Sequence, residues 1–227
     1  TDGLCSGAIL LRALTRAGYH VKRICLEKPY PGVLEKVFRA EGRVFVFADF
    51  AGRIAPHLAA LNRNRNLVLV LDHHAAAPIE APELHGVYNL DPELYGLKGD
   101  RDISASVTCY LFARMLDGAN EDLAGLAVLG AVGDRFFERG RLVGINRRVV
   151  EEAVAAGREL AARAGWDPAA LSAFLYTLER EDALARGEPR GVDFFASHPA
   201  MPDRVEDTAR LAAALPVEAQ ARWSRPS

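Results

Sequence analysis

The sequence predicts an α/β protein, a parallel sheet flanked by helices and followed by a small helical C-terminal segment. Two observations carry this. Helical and strand-like apolar patterns alternate through the first half of the chain, which argues for parallel strands covered by helices. From Ile103 onward the pattern turns helical, with breaks expected at Gly118, Gly140, Gly165 and Pro168, and no further strand is expected.

The elements are justified in order. Thr1-Asp2-Gly3-Leu4-Cys5-Ser6-Gly7 runs into an amphipathic helix over 3–17, with Ile9, Leu10, Leu11 and Leu14 on its apolar positions. Asp2 then sits at a strand-to-helix turn, beside free helix N–H groups that favour anions. A strand is expected over Val21 to Leu26, a helix over 33–41 and a strand over 43–49, whose apolar run Val44-Phe-Val-Phe-Ala48 ends in Asp49. A helix over 54–63 and a strand over 66–72 follow. The run Asn66-Leu-Val-Leu-Val-Leu71 leads directly into Asp72-His73-His74.

This last tetrad, Leu71-Asp72-His73-His74, is the most informative feature. Ligands of an open α/β sheet bind beyond the carboxyl ends of its strands, and imidazole beside carboxylate suits Mn, Fe or Zn, while carboxylate-rich sites suit Mg or Mn. The helical stretch Leu123 to Val132 adds Gly133-Asp134 at its end. Each Asp alone reads as a cap or turn residue. Jointly, Asp2, Asp49, Asp72, His73 and Asp134 deliver ligand groups to one edge, as a shared metal site requires. His20, His57, His85 and His198 read as surface or hydrogen-bonded residues.

The series Asp2-Gly3, Asp49, Asp72-His73-His74 and Gly133-Asp134 resembles the motifs of the DHH phosphoesterase superfamily. Tyr88-Asn-Leu-Asp-Pro-Glu-Leu-Tyr-Gly96, Asp102-Ile-Ser-Ala-Ser-Val-Thr-Cys-Tyr-Leu-Phe-Ala113 and Gly144-Ile-Asn-Arg147 are similar to its archaeal RecJ-like exonuclease branch. The match spans residues 1 to about 155. The resemblance implies a centre of two Mn or Mg ions that hydrolyses phosphodiester or phosphoanhydride bonds. In it Asp49 bridges the ions, and Asp2, His73 and Asp134 complete the shell of one. Asp72, His73 and His74 form the catalytic group: Asp72 orients its neighbours, and His74 contacts the substrate phosphate together with Ser104 and Ser106. Two cations about 3.5–4 Å apart can clamp phosphoryl oxygens and activate water near neutral pH. The implied partners are single-stranded DNA or RNA or small phosphoesters.

The family's first motif has His, three residues, Asp, one residue, Asp, and Asp2 matches its last position. Residues 1–155 therefore read as a DHH phosphoesterase domain lacking its first strand, with impaired hydrolysis expected. Residues 156–227 read as a second, helical unit, dispensable for metal binding at the front. From about Arg158, Ala164-Gly-Trp-Asp-Pro168 and Phe194-Phe-Ala-Ser-His-Pro199 resemble the C-terminal stretch of HtpX/BepA-type zinc metallopeptidases, although the chain contains no His-Glu-x-x-His. Three functions are thus set against each other: the phosphoesterase, a non-catalytic DHH-type scaffold in a nucleic-acid-processing assembly, and a zinc peptidase. Metal content separates them.

Composition sets limits. With 227 residues, 50% apolar, and a formal net charge of -2, the chain can bury a sizeable core and is not a globally basic nucleic-acid binder. Arg139-Gly-Arg141 and Arg147-Arg148 read first as a solvated helix face, with contact to a phosphate backbone as the alternative. There is no apolar run long enough to span a membrane. Cys5, Cys25 and Cys109 lack metal-type spacing and read as packed, reduced thiols of a cytoplasmic protein.

Overall fold

The computed structural model describes residues 1–165 except 27, 29, 41, 139 and 140. The chain begins with α1 (Asp2–Arg16), then α2 (Pro31–Arg39), β1 (Val44–Ala48), α3 (Ala55–Leu61) and β2 (Leu67–Leu71). The short α4 (Pro82–His85), β3 (Val87–Asn89) and a 3-10 turn at Pro92–Tyr95 come next. The second half holds α5 (Ala105–Leu116), a 3-10 turn at Gly118–Leu123, α6 (Ala124–Gly133), a hairpin of the two-residue strands β4 (Phe137–Glu138) and β5 (Arg141–Leu142), and α7 (Gly144–Arg163).

β1, β2 and β3 form one parallel sheet in that order, with Val44 opposite Leu67 and Val68 opposite Val87. Both faces of the sheet are covered. On one side Phe45, Phe47, Val68, Val70 and Val87 pack with Leu34, Phe38 and Leu58 of α2 and α3. On the other, Val46, Ala48 and Leu71 pack under α1, α5, α6 and α7, where Ile9, Val107, Tyr110, Ala127 and Val149 are buried. The period of two along β1 thus assigns Phe45 and Phe47 to one core and Val46 and Ala48 to the other. Near-continuous apolar strands are what a sheet buried on both faces requires.

Two expectations are corrected. Residues 21–26 are not a strand: the segment runs largely exposed along the surface, with Ile24 49% exposed. Its apolar residues Val21, Ile24, Cys25 and Leu26 do not alternate, and Lys22 and Arg23 interrupt them, so no face is offered to a sheet. The third strand is instead β3, a three-residue piece, and the second half adds the β4–β5 hairpin. The other predicted elements agree to within two residues at each end.

Gly118 opens a 3-10 turn, and Gly165, with φ of 80°, ends α7 as a left-handed C-terminal glycine. The domain boundary expected at 155 and 156 falls within α7, which is continuous there. Gly140, Pro168, His198 and the peptidase-like stretch beyond Gly165 lie outside the described residues. Among the described residues no helix is long and apolar enough to cross a membrane.

Candidate metal centre

β1 and β2 end side by side, and the residues that follow them meet the first residue of α1 and the residue that ends α6. Asp49 follows β1 with φ of 55°, a left-handed conformation that Asp tolerates better than most residues, and its N–H donates to the Leu71 carbonyl at 3.0 Å. Ala51 (φ 86°) and Arg135 (φ 62°) also hold positive φ near the centre. Strain of this kind costs about 1–3 kcal/mol each and concentrates at functional sites.

The geometry centres on His73, which is buried. Its Nδ1 lies 2.6 Å from the Gly99 carbonyl oxygen, which can only accept, so Nδ1 carries the proton. On binding an ion the ring would give up its Nε2 proton and present that lone pair, the arrangement in which histidines ligate metals. Nε2 lies 3.4 Å from Asp49 Oδ1, 3.4 Å from Asp134 Oδ2 and 3.9 Å from Asp2 Oδ2. Asp49, His73 and His74 form one group, and Asp2, His73 and Asp134 another, with the ligand atoms of each within 4.8 Å of one another.

Burial pushes His73 toward neutrality. The Asp49 carboxylate, the Gly99 carbonyl and Asp2 outweigh it, and the ring's pKa is raised to about 9. An imidazolium thus offsets the carboxylates of the metal-free cluster. For Asp2, burial is the largest influence and raises the pKa, against the lowering hydrogen bonds of Ser106.

Asp72 supports this group through hydrogen bonds to its neighbours. Its Oδ2 accepts the Gly52 N–H at 2.7 Å, and its Oδ1 accepts the His73 N–H at 2.8 Å and lies 2.7 Å from His74 Nδ1. Burial would raise its pKa, but these donors hold the carboxyl below its usual range. An ionised Asp72 fixes the backbone at His73 and turns the His74 ring, whose side chain is 61% exposed, toward solvent. Asp134 is likewise open, with its side chain 42% exposed.

Ser104 and Ser106, expected to touch substrate, are fully buried. The Ser104 hydroxyl caps α5 by accepting the Val107 N–H at 3.2 Å and lies 3.0 Å from Ser106 Oγ, which donates to the Ala127 carbonyl at 2.9 Å. Both hydroxyls are thereby engaged inside the fold, where they hold the α5 N-terminus near Asp2. Arg147 and Arg148 are exposed on α7.

Two atoms decide whether these residues fit a divalent ion. Asp49 Oδ1 and His73 Nε2 are buried without a hydrogen-bond partner, an unfavourable state for polar atoms in a protein interior. Both belong to the converging group, and carboxylate oxygens with an imidazole nitrogen form a donor set that suits divalent ions such as Mn, Fe or Zn. The residues fit.

Two glycines make room for this arrangement, Gly3 of the Asp2-Gly3 motif and Gly99, which sequence reasoning missed. A Cβ on Gly99 would lie 1.4 Å from the His73 carbonyl oxygen, and one on Gly3 would lie 2.7 Å from Asp49 Oδ2. It also missed Asp91, which is fully buried, accepts the Glu93 N–H through Oδ1 and leaves Oδ2 unpartnered; burial raises its pKa to about 6. Glycine next to or near an acidic ligand, as in Asp2-Gly3 and Asp49-Phe-Ala-Gly52, was the available signal.

No protein-family profile matches the chain. In sequence it is 32% identical to an uncharacterized protein of Methanocaldococcus jannaschii, MJ0831, over 156 residues, which are 67% of this chain and 34% of that protein. The chain thus spans about a third of that curated relative. Two solved structures resemble it: RecJ from Thermus thermophilus in complex with Mn2+, with a TM-score of 0.52, and exonuclease RecJ bound to manganese, with a TM-score of 0.54. Each is 22% identical and covers 93% of this chain, which corresponds to 34% and 59% of the respective RecJ chains. The zinc-peptidase resemblance of the tail finds no support among these relatives. The three parallel strands with flanking helices are a fold shared with these RecJ structures, and the candidate centre lies where β1 and β2 end.

Proposed function

We propose that this chain is a metal-dependent phosphoesterase of the DHH type that hydrolyses phosphodiester bonds in single-stranded nucleic acid or short oligonucleotides. The observation that supports it best is the convergence of Asp2, Asp49, His73 and Asp134 around His73 Nε2 and Asp49 Oδ1, two buried atoms without partners. Asp49 would be shared by two Mn or Mg ions, as the family resemblance implies, and its Oδ1 lies 3.4 Å from His73 Nε2. Asp2, His73 and Asp134 would complete the shell of one ion. Bound there, divalent ions would supply polarisation of a phosphoryl oxygen and acidification of water.

The chain's own residues do the rest. Gly99 fixes the His73 tautomer, and Asp72 holds the His73 backbone N–H and the His74 ring. With Nδ1 donating to Asp72, the His74 ring is held in place and leaves Nε2 as its second polar atom for contact with a substrate. The fold's likeness to RecJ favours nucleic acid as substrate. The test is hydrolysis of an end-labelled single-stranded oligonucleotide with Mn, set beside Mn titration calorimetry. Mn-dependent cleavage, lost with a chelator and in Asp49→Asn, supports the proposal. Tight Mn binding with no cleavage overturns the hydrolase reading in favour of a binding scaffold.

A further inference from the structure

Asp2 is held differently from the other carboxylates of the centre. Its Oδ2 accepts the N–H of Ala105 at 2.8 Å, and its Oδ1 accepts the N–H of Ser106 at 3.0 Å. These are successive amides at the start of α5, so the fork between the two oxygens faces the helix end. Gly130 of α6 lies close to Oδ1, since a Cβ there would be 2.4 Å from it. The outer side of Oδ2 faces His73 Nε2 at 3.9 Å. Oδ2 is thus the oxygen that approaches the cluster.

We propose that the α5 N-terminus and Gly130 make Asp2 a one-oxygen ligand and thereby set the centre to prefer small six-coordinate cations over calcium. The inference rests on the reading of the cluster as a metal centre. Calcium takes six to eight oxygens at about 2.3–2.6 Å and uses two-oxygen carboxylates to reach that number, whereas magnesium requires an octahedron at about 2.0–2.1 Å. Mn is likewise at home in an octahedral oxygen set. A carboxylate whose fork is filled by amides serves the octahedron and fails the larger shell. Ser106 anchors the device, since its hydroxyl ties the start of α5 to the Ala127 carbonyl of α6 at 2.9 Å. Ser106 and Gly130 are therefore positioning residues that act through Asp2.

Calorimetric titration of the full chain with Mn alone and with Ca alone tests the proposal through the ratio of the two affinities, which does not depend on the folded fraction. The wild type should bind Mn at least about 100-fold more tightly, and Ser106→Ala should narrow the ratio by roughly 10-fold, the lower end of the effect of losing an outer-shell partner. Gly130→Ala, which drives a methyl group against Asp2, should narrow it too. If that variant is unfolded by circular dichroism, Ser106→Ala decides alone. An unchanged ratio in folded Ser106→Ala overturns the proposal, as do comparable Mn and Ca affinities in the wild type. A wild type that binds no Mn overturns the metal-centre reading along with it.

Discussion

His73 is committed at Nδ1 to a backbone carbonyl and faces a group of carboxylates with an unbonded Nε2, and its neighbours have little freedom to differ. Gly99→Ala would place a methyl group 1.4 Å from the His73 carbonyl oxygen, so backbone must shift. We expect a loss of about 3 kcal/mol, the upper range for overpacking, read as a lowered urea midpoint. Asp49→Asn keeps the shape but removes the charge shared by the two groups. Its Mn affinity should fall by roughly 100-fold or more, beyond what loss of an outer-shell partner costs, measured by calorimetry. At this scale the sequence showed residue type and order: a carboxylate after each apolar run and two adjacent imidazoles. It did not show that Ser104 and Ser106 are buried, because a Ser-x-Ser sequence reads alike whether its hydroxyls face a ligand or a helix end. Nor did it show Gly99 as the acceptor for His73, because the carbonyl belongs to every residue and only the fold selects one.

Among elements, long periodic segments were legible and short ones were not. α1, α5 and the runs of β1 and β2 have apolar patterns that match their burial, whereas three-residue β3 is a strand only because the β2 edge pairs with it. Residues 21–26 show the converse, an apolar stretch for which no edge is used. Helix pairing also makes a pH prediction. The Arg114 guanidinium and the Tyr110 hydroxyl of α5 both donate to Glu152 of α7, at 2.6 and 2.5 Å. Burial would raise the Glu152 pKa, but these donors hold it below its ordinary value of 4.5. A depressed pKa contributes stability above the ordinary value, and that contribution is lost as pH falls through the folded one. The wild type should therefore lose urea stability relative to Glu152→Gln as pH drops below about 4.5, and parallel curves for the two proteins would exclude this link. In the same layer, Ile9→Ala removes a fully buried side chain of α1 and should cost about 3 kcal/mol.

For the molecule as a whole, the sheet separates two cores, and the candidate centre lies where strands of the sheet and helices of one layer meet. Binding that occurs only in the folded state adds stability by mass action. With Mn at a hundred times its dissociation constant, the gain should be about 2.7 kcal/mol, seen as a rise in melting temperature that is absent in Asp49→Asn. The α/β class was legible because helix and strand patterns alternate; the joining of distant segments was not, since nothing local encodes it. Asp2 meets the amide of Ala105 across 103 residues of chain, so the centre closes only when the first helix and the second half have come together. Such long closures are entropically slow and belong late in folding. An ion held by this cluster therefore acts as a latch set after the fold is assembled. In denaturant-jump kinetics Mn should leave the refolding rate nearly unchanged and slow unfolding, as expected for interactions absent from the transition state.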